Sequence, residues 1–352
     1  MNSNSHYDLF DLNEDLESYL EVPDIRNMPC LKAPKPAKKA RAEDKAAIQK
    51  SQIEIAVQDE NQDSFNFSYH ASRHERIWLA NSLNDFHDGQ WFEDVLRLVK
   101  GGKEASVYLC KTVPSGPAGY EHLAAKVYRP RQFRNLRKDH LYREGRGDLD
   151  IEGRTVLDDR MLRAMHKRTS YGQELLHTSW IGHEYATMQI LHAAGVDLPT
   201  PLASGNNAIL MDYIGDPDLP APTLNTVELD PDEALALFDR VLWNIERMLA
   251  NRRIHGDLSA FNVLYWEGRI TLIDFPQAID PEENRNAFRI FERDVTRICE
   301  YFTRQGVPSN PSQIARELWS AHGYRQQPEV HPSLLDDQDE RDRSYWQSMQ
   351  PD

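Results

Sequence analysis

His255-Gly256-Asp257-Leu258-Ser259-Ala260-Phe261-Asn262, followed twelve residues later by Asp274 in Ile273-Asp274-Phe275-Pro276, decides the reading of this chain. Residues 263–266 and 269–273 are β-like and flank Glu267-Gly268, so they read as a tight hairpin. A ribbon that leaves just after Asn262 returns its second strand to the same end, which sets Asp274 beside Asn262. Asp257, at the head of the loop, can face the same point. Two carboxylates and an amide oxygen then converge. Hard oxygen donors of this kind suit Mg2+ (or Mn2+), an ion that keeps several waters and also binds phosphate. Asn262 and Asp274 would hold the metal, and Asp257 would accept a hydroxyl proton or orient the nucleophile. The spacing matches the phosphoryl-transfer pattern H-x-D-L-x-x-x-N followed by D-F-x. A loop closed only by structural Asx turns would not require these matched positions and both spacings.

A phosphate-transfer site also needs cations and backbone donors. Ala124-Ala125-Lys126-Val127-Tyr128 is an apolar strand with one lysine. Taken alone, such a lysine is an outward charge; here it stands where the pattern places a phosphate-pairing lysine. Its expected partner is a glutamate on the following helix, with Glu184 as first candidate and Glu174 as reserve. Upstream, Lys100-Gly101-Gly102-Lys103-Glu104-Ala105-Ser106-Val107-Tyr108 puts a glycine turn between two strands, although it lacks the third glycine of G-x-G-x-x-G. Backbone N–H groups there could cradle phosphate oxygens. Lys103 or Ser106 either adds a contact to that cradle or is solvated.

The elements around these motifs follow from periodicity. Ile77, Leu79, Leu83 and Phe86 suggest an introductory helix. Residues 95–99, 106–110, 123–128 and 208–213 read as strands, and residues 183–194 as a helix ended by Gly195. Asp230 is a plausible N-cap with Pro231 in the first turn. Leu235, Phe238, Leu242, Ile245 and Leu249 then recur at spacings of three and four, one buried stripe. A last helix over residues 287–304 repeats Phe288, Phe291, Val295, Ile298 and Phe302. The order is a small β-rich half followed by a mostly helical half, with a cleft between them.

Composition frames these elements. The 352 residues are 40% hydrophobic and 28% charged, enough for a core, and the net charge of −15 argues against a globally basic nucleic-acid binder. A mean hydropathy of −0.67 points to polar tails. The first 25 residues hold seven acids and no Lys or Arg, whereas residues 32–50 hold seven basic residues. Residues 1–75 are therefore expected to be a mostly disordered tail, and 326–352 a polar one. Between them, 76–214 form the N-lobe and 215–325 the C-lobe. The tail's lysine cluster is a solvated stretch or a docking arm for an acidic partner or RNA. Cys30, Cys110 and Cys299 lie far apart, so no disulfide framework is indicated and a reducing, cytoplasmic setting fits. No apolar run would span a bilayer, and no secretory signal is seen at the N-terminus.

These pieces resemble the RIO family of atypical serine/threonine protein kinases. The resemblance rests on Gly102-Lys103-Glu104-Ala105-Ser106-Val107-Tyr108, the strand around Lys126, Met211-Asp212-Tyr213-Ile214-Gly215, Pro220-Ala221-Pro222 with Leu224, and the His255–Asn262 loop, and it covers roughly residues 95–306. It implies an α+β, two-lobed protein-kinase-like fold without an activation segment, a small β-rich N-lobe over a mainly helical C-lobe. ATP would lie in the cleft, Met211 at the back of its pocket, and Asp212, Tyr213 and Ile214 would form the hinge whose backbone receives adenine. Asp294 lines up with an acid behind the catalytic loop and would brace it. The family's activity is autophosphorylation and ATP hydrolysis, with Ser or Asp phosphorylated, and its usual role is in small ribosomal subunit maturation; a phosphoaspartate would here form on Asp274.

This chain departs from common protein kinases at Pro276, which replaces the glycine of D-F-G and restricts the backbone, and at Ser259, where a lysine is usual. Glu184 lies 58 positions after Lys126, and the stretch between them includes a basic segment, 129–168, with 12 Lys/Arg against 7 Asp/Glu. It is either a solvated insertion or a surface for rRNA phosphates, a ribosomal particle or an acidic protein. Two other functions share parts of the pattern. A small-molecule (aminoglycoside-type) phosphotransferase would need a helical insertion after the hinge, where only about 15 residues separate Ile214 from Asp230. A nucleotide-switched binding scaffold would not need the full set of catalytic residues.

Overall fold

Residues 65–102, 104–129, 156, 158–167, 169–205 and 207–325 are described in a computed structural model of the chain. The expected tails and most of the basic insertion lie outside these residues. Helix α1 (Arg73–Asp88) starts where the Ser72 hydroxyl accepts the Glu75 N–H at 3.3 Å, and it buries Leu79, Leu83 and Phe86. Residues 65–75, expected in the tail, pack instead: Phe67 is buried and the Tyr69 N–H donates to the Val95 carbonyl at 3.0 Å. The aromatic residues Phe65, Phe67 and Tyr69 outweigh the polar composition around them.

Five strands follow: β1 (Phe92–Gly101), β2 (Ala105–Thr112), β3 (His122–Tyr128), β4 (Pro201–Ser204) and β5 (Ala208–Asp212). They form one antiparallel sheet in the order β1-β2-β3-β5-β4. Side chains alternate across a strand, and here the alternation divides two cores. Leu123, Ala125, Val127, Ala208 and Leu210 face α1 together with Tyr108 and Cys110. Ala124, Tyr128, Ile209 and Met211 face the opposite way, into the core shared with the helical lobe. Lys126 stands opposite Ile209 and Val107 in the register, so it belongs to that second face. Strand β4 is not among the expected strands; four residues opening on a proline carry no readable alternation, and they fit the sheet edge that β4 occupies.

Helices α2 (Asp159–His166) and α3 (Ser170–Ala193) follow the insertion. Helix α3 begins well before the expected residue 183. Its first turns pack on α2 through a small separate cluster of Met165, Leu176 and Val156, so they carry no stripe directed at the main core. Gly172 permits that crossing, because a Cβ there would lie 1.9 Å from the Ala164 carbonyl oxygen.

The helical lobe holds α4 (Pro231–Ala250), the ribbon β6 (Val263–Trp266) and β7 (Arg269–Leu272), α5 (Ala287–Arg304) and α6 (Pro311–Ala321). Glu267 and Gly268 have φ of 48° and 74°, the left-handed pair a tight two-residue hairpin requires. Asp230 precedes α4 as expected, but its side chain makes no capping bond. The expected stripe on α4 holds at Phe238, Ile245 and Leu249 and partly at Leu242, but fails at its first residue. Leu235 is 52% exposed, and the buried face is Ala234, Leu237, Phe238, Val241, Ile245, Met248 and Leu249. The small Ala234, not the large Leu235, fits the space against the core. Helix α6 lies beyond the expected last helix. Asn310 caps it, and Trp319 packs on Phe288 and Phe291 with ring centroids 5.2 and 5.4 Å away. From Asp274 to α5 the chain is short and is tied back to Ile254, just before the His255–Asn262 loop, by the bridge from Ile279, with no segment resembling an activation loop between Asp274 and α5. No described helix is long and apolar enough to cross a membrane.

Candidate active site

Lys126 projects from β3 on the face turned toward the helical lobe, where the cleft is expected. Its Nζ donates to Glu184 Oε1 at 2.6 Å and to Asp274 Oδ1 at 2.5 Å. Glu184, from the middle of α3, is 1% exposed and takes two further donors, the Tyr128 hydroxyl and the Phe275 N–H at 3.3 Å. Burial works against the Lys126 ammonium, but the Asp274 and Glu184 carboxylates outweigh it and hold its pKa above the ordinary lysine value. Burial likewise works to raise Asp274, and the Lys126 ammonium reverses the sign, leaving that carboxyl below its usual range. Asp274 sits at φ 74°, a conformation L residues rarely adopt, where the ribbon ends and the chain turns into buried Phe275.

The ribbon does return to its starting end. Val263 pairs with Leu272, and the Ile273 N–H donates to the Asn262 carbonyl at 3.0 Å. Asn262 lies in a single 3-10 turn, Ala260–Asn262, and its Nδ2 donates to the Asp257 carbonyl at 2.9 Å and to Asp257 Oδ2 at 3.3 Å. The amide nitrogen therefore faces Asp257, which leaves the amide oxygen as the acceptor. Asp257 Oδ1 accepts from Arg297 Nη1 at 2.8 Å. The loop backbone is held from α5: the Gly256 N–H donates to Asp294 Oδ2 at 2.9 Å, and Arg293 donates to the Gly256 carbonyl. Asp294 is 2% exposed, and burial raises its pKa although Arg293 pulls the other way.

His255 orders this loop. Its Nε2 lies 3.1 Å from the Ile273 carbonyl and its Nδ1 receives the Asp257 N–H at 3.3 Å, which together fit an N–H donor at Nε2 and an acceptor at Nδ1. Its ring packs on Phe275, centroids 4.8 Å apart.

Among the described residues, no three His, Cys, Asp or Glu side chains cluster as a metal cage. The site instead offers one carboxylate and one amide oxygen, Asp274 and Asn262. That donor set fits an ion that takes its remaining ligands from water and phosphate.

The expected hinge positions occupy the end of β5 and the adjoining Tyr213 and Ile214. Met211 is 8% exposed on the cleft face, opposite Ala124. The Asp212 carboxylate accepts the Thr200 N–H, so this side chain is committed to the strand edge. Burial raises its pKa against that bond. The Tyr213 hydroxyl accepts from Arg97 Nη2 at 2.9 Å, tying this stretch to β1, and the Ile214 carbonyl accepts the Ala221 N–H at 3.1 Å. Gly215 turns the chain at φ 129°, where a Cβ would meet Ala221 N and the Leu219 carbonyl at 2.7 Å.

Two expectations for the glycine turn fare differently. Lys103 lies outside the described residues. Ser106 is neither solvated nor on the cleft face: it is 2% exposed and stands opposite Val127, so its hydroxyl shares the face of Tyr108. Strand parity is the reason, since Val107 takes the place beside Lys126. The reserve partner Glu174 is exposed, about three helical turns away from Glu184. Sequence reasoning did not find Tyr128, Arg293 or Arg297. Tyr128 was readable, two residues after Lys126 on the same strand face. The two arginines reach the loop across a tertiary contact that no local spacing reports.

The RIO domain family matches residues 141–314. Over 135 residues the chain is 34% identical to the RIO-type serine/threonine-protein kinase Rio1 of Thermoplasma acidophilum, a stretch covering 38% of this chain and 69% of that one. It is 27% identical over 210 residues to the serine/threonine-protein kinase RIO1 of Homo sapiens, 59% of this chain and 33% of the human one. A third relative, the serine/threonine-protein kinase RIO3 of Caenorhabditis elegans, is 31% identical over 140 residues, 38% of this chain and 27% of the worm one. The chain thus spans about a third or less of the two animal proteins' length. With this likeness added to a five-stranded sheet over a helical lobe and to the paired Lys126 and Glu184, the chain belongs to the RIO family of atypical kinases.

Proposed function

We propose that this protein is an ATP-dependent serine/threonine kinase and ATPase of the RIO type, using Mg2+. The observation that carries the reading is the lysine held between two carboxylates at the cleft, with Asp257 and Asn262 at the same end of the ribbon. Lys126 binds the phosphates of ATP, and Glu184 holds the lysine in place. Asn262 and Asp274 hold the metal ion, which neutralises phosphate charge when bound. Asp257 accepts the proton of the acceptor hydroxyl. Met211 bounds the adenine pocket, and the backbone of Asp212, Tyr213 and Ile214 receives the base.

The acceptor is a serine of a protein or of this chain itself, or the Asp274 carboxylate as a transient acyl phosphate. The role we favour is in small ribosomal subunit maturation, with the basic 129–168 segment as the contact to the particle. The stretch after the hinge supports protein over antibiotic as acceptor: residues 215–230 hold a tight turn and one 3-10 turn, Leu224–Thr226, rather than a helical insertion. The test is incubation of the full chain with γ-phosphate-labelled ATP and Mg2+. Label on protein, lost in Asp257→Ala while ATP binding persists, is the expected result. Label appearing on an aminoglycoside and never on protein would replace this reading with the small-molecule one.

A further inference from the structure

We infer that Arg297 is a positioning residue for the reaction: it sets the orientation of the Asp257 carboxylate from outside the catalytic loop. The inference rests on the reading of Asp257 as the proton acceptor.

Three residues of α5 reach the loop, and they divide the work. Asp294 takes the Gly256 N–H and Arg293 donates to the Gly256 carbonyl, so these two fix the backbone. These backbone bonds do not by themselves fix the rotation of the Asp257 carboxylate, which is 40% exposed. Arg297, one turn beyond Arg293 on the same helix face, closes that freedom by donating from Nη1 to Oδ1 at 2.8 Å. Asn262 approaches the other oxygen at 3.3 Å, a long contact that leaves Oδ2 able to take a shorter bond from an incoming hydroxyl. One carboxylate oxygen is thus anchored and the other presented.

The cation is also in an informative place. Two residues after Asp257 stands Ser259, so the loop supplies no charge of its own there. Arg297 supplies a cation in ion-pair contact with Asp257, and its side chain is 25% exposed. A guanidinium suits the task because its planar fork fixes a carboxylate in direction as well as distance, which an ammonium does not. Lys126 does not take this role, since its ammonium is held between Glu184 and Asp274.

The test is steady-state turnover of Mg·ATP by the full chain carrying Arg297→Ala, Arg297→Lys or Asp257→Asn, with nucleotide affinity measured separately. Arg297→Ala is expected to lower kcat by about tenfold to a hundredfold with KM for ATP unchanged, the loss typical of a misplaced catalytic group. Free guanidinium at millimolar concentration should restore part of that loss in Arg297→Ala and none in Asp257→Asn. Arg297→Lys, which keeps stem and charge if the alanine variant does not fold, should fall between Ala and wild type. A kcat within about twofold of wild type in Arg297→Ala overturns the inference, as does a parallel loss of nucleotide affinity. Full turnover by Asp257→Asn would overturn the reading of the site itself. An inactive Asp257→Asn beside fully active Arg297 variants would overturn only the role given to Arg297.

Discussion

The buried carboxylate of Asp294 accepts the backbone N–H of Gly256 at 2.9 Å, so a helix that follows Asp274 in the chain holds the loop that precedes it. The bond crosses 38 residues of chain and couples the backbone position of Asp257 to the packing of α5. Removing the acceptor strands a buried N–H and takes away the Asp294 contact of Arg293. Asp294→Ala is therefore expected to cost about 1.5–3 kcal/mol, the range for a hydrogen bond to a charged group, read as a shift of the urea midpoint at constant slope. Asp294→Asn keeps one acceptor oxygen and should cost less.

Gly256 is a second constraint on the same loop. Its φ is 83°, and a Cβ would lie 2.1 Å from the Gln277 carbonyl oxygen. The backbone atom at fault cannot rotate away, so Gly256→Ala must displace either the loop or residues 275–279. We expect a loss of at least about 1–3 kcal/mol from the backbone conformation alone. Phosphotransfer should fall further than nucleotide affinity, because Asp257 moves while Lys126 does not. Isothermal titration with a non-hydrolysable nucleotide beside a turnover assay separates the two.

The lysine–glutamate pair makes opposite predictions for stability and activity. Glu184 is 1% exposed, and Lys126→Met would leave its carboxylate buried with only the Tyr128 hydroxyl and the Phe275 N–H as partners. Breaking a buried pair from one side costs about 3–5 kcal/mol. Adding Glu184→Gln removes the stranded charge, so the double variant should regain stability while staying inactive. A double-mutant cycle by chemical unfolding checks this, and additive losses would show that the two side chains are not coupled.

Much of this architecture is legible because it is local. The ribbon announces itself through two short β-like runs around Glu267-Gly268, and its closure beside Asn262 comes from counting residues. The extent of α5 matches its periodicity, since Phe291, Val295, Ile298 and Phe302 keep helical spacing along a helix buried on one side. The pairing of Lys126 with Glu184 spans 58 residues and is reached through the pattern of motifs, not through any local signal. The misreadings have physical reasons. Leu235 competes with the smaller Ala234 for a tight interface, and hydrophobicity alone cannot register that fit. Ser106 suits a phosphate cradle by residue type, although strand parity turns its hydroxyl from the cleft. The first half of α3 buries its apolar side chains on α2, so its pattern does not match a helix lying on the main core.

The pH dependence should separate Asp274 from Asp294, because their shifts have opposite signs. The Lys126 ammonium overcomes burial and lowers the folded pKa of Asp274 below its ordinary 3.8. The folded protein then binds fewer protons than the unfolded chain as acid is added. The stability this group contributes is present above 3.8 and disappears as the pH falls through the depressed value. For Asp294, burial raises the folded pKa above 3.8, so the folded protein takes up its proton first and the fold gains from that group as the pH falls through the raised value. Urea midpoints of wild type, Asp274→Asn and Asp294→Asn, measured from about pH 7 down to about pH 3, read these contributions as differences. The gap between wild type and Asp274→Asn should narrow at the acid end, whereas the advantage of wild type over Asp294→Asn should grow there. An unchanging gap for Asp274→Asn would mean that the carboxylate gains nothing from Lys126 in solution, contrary to the 2.5 Å contact.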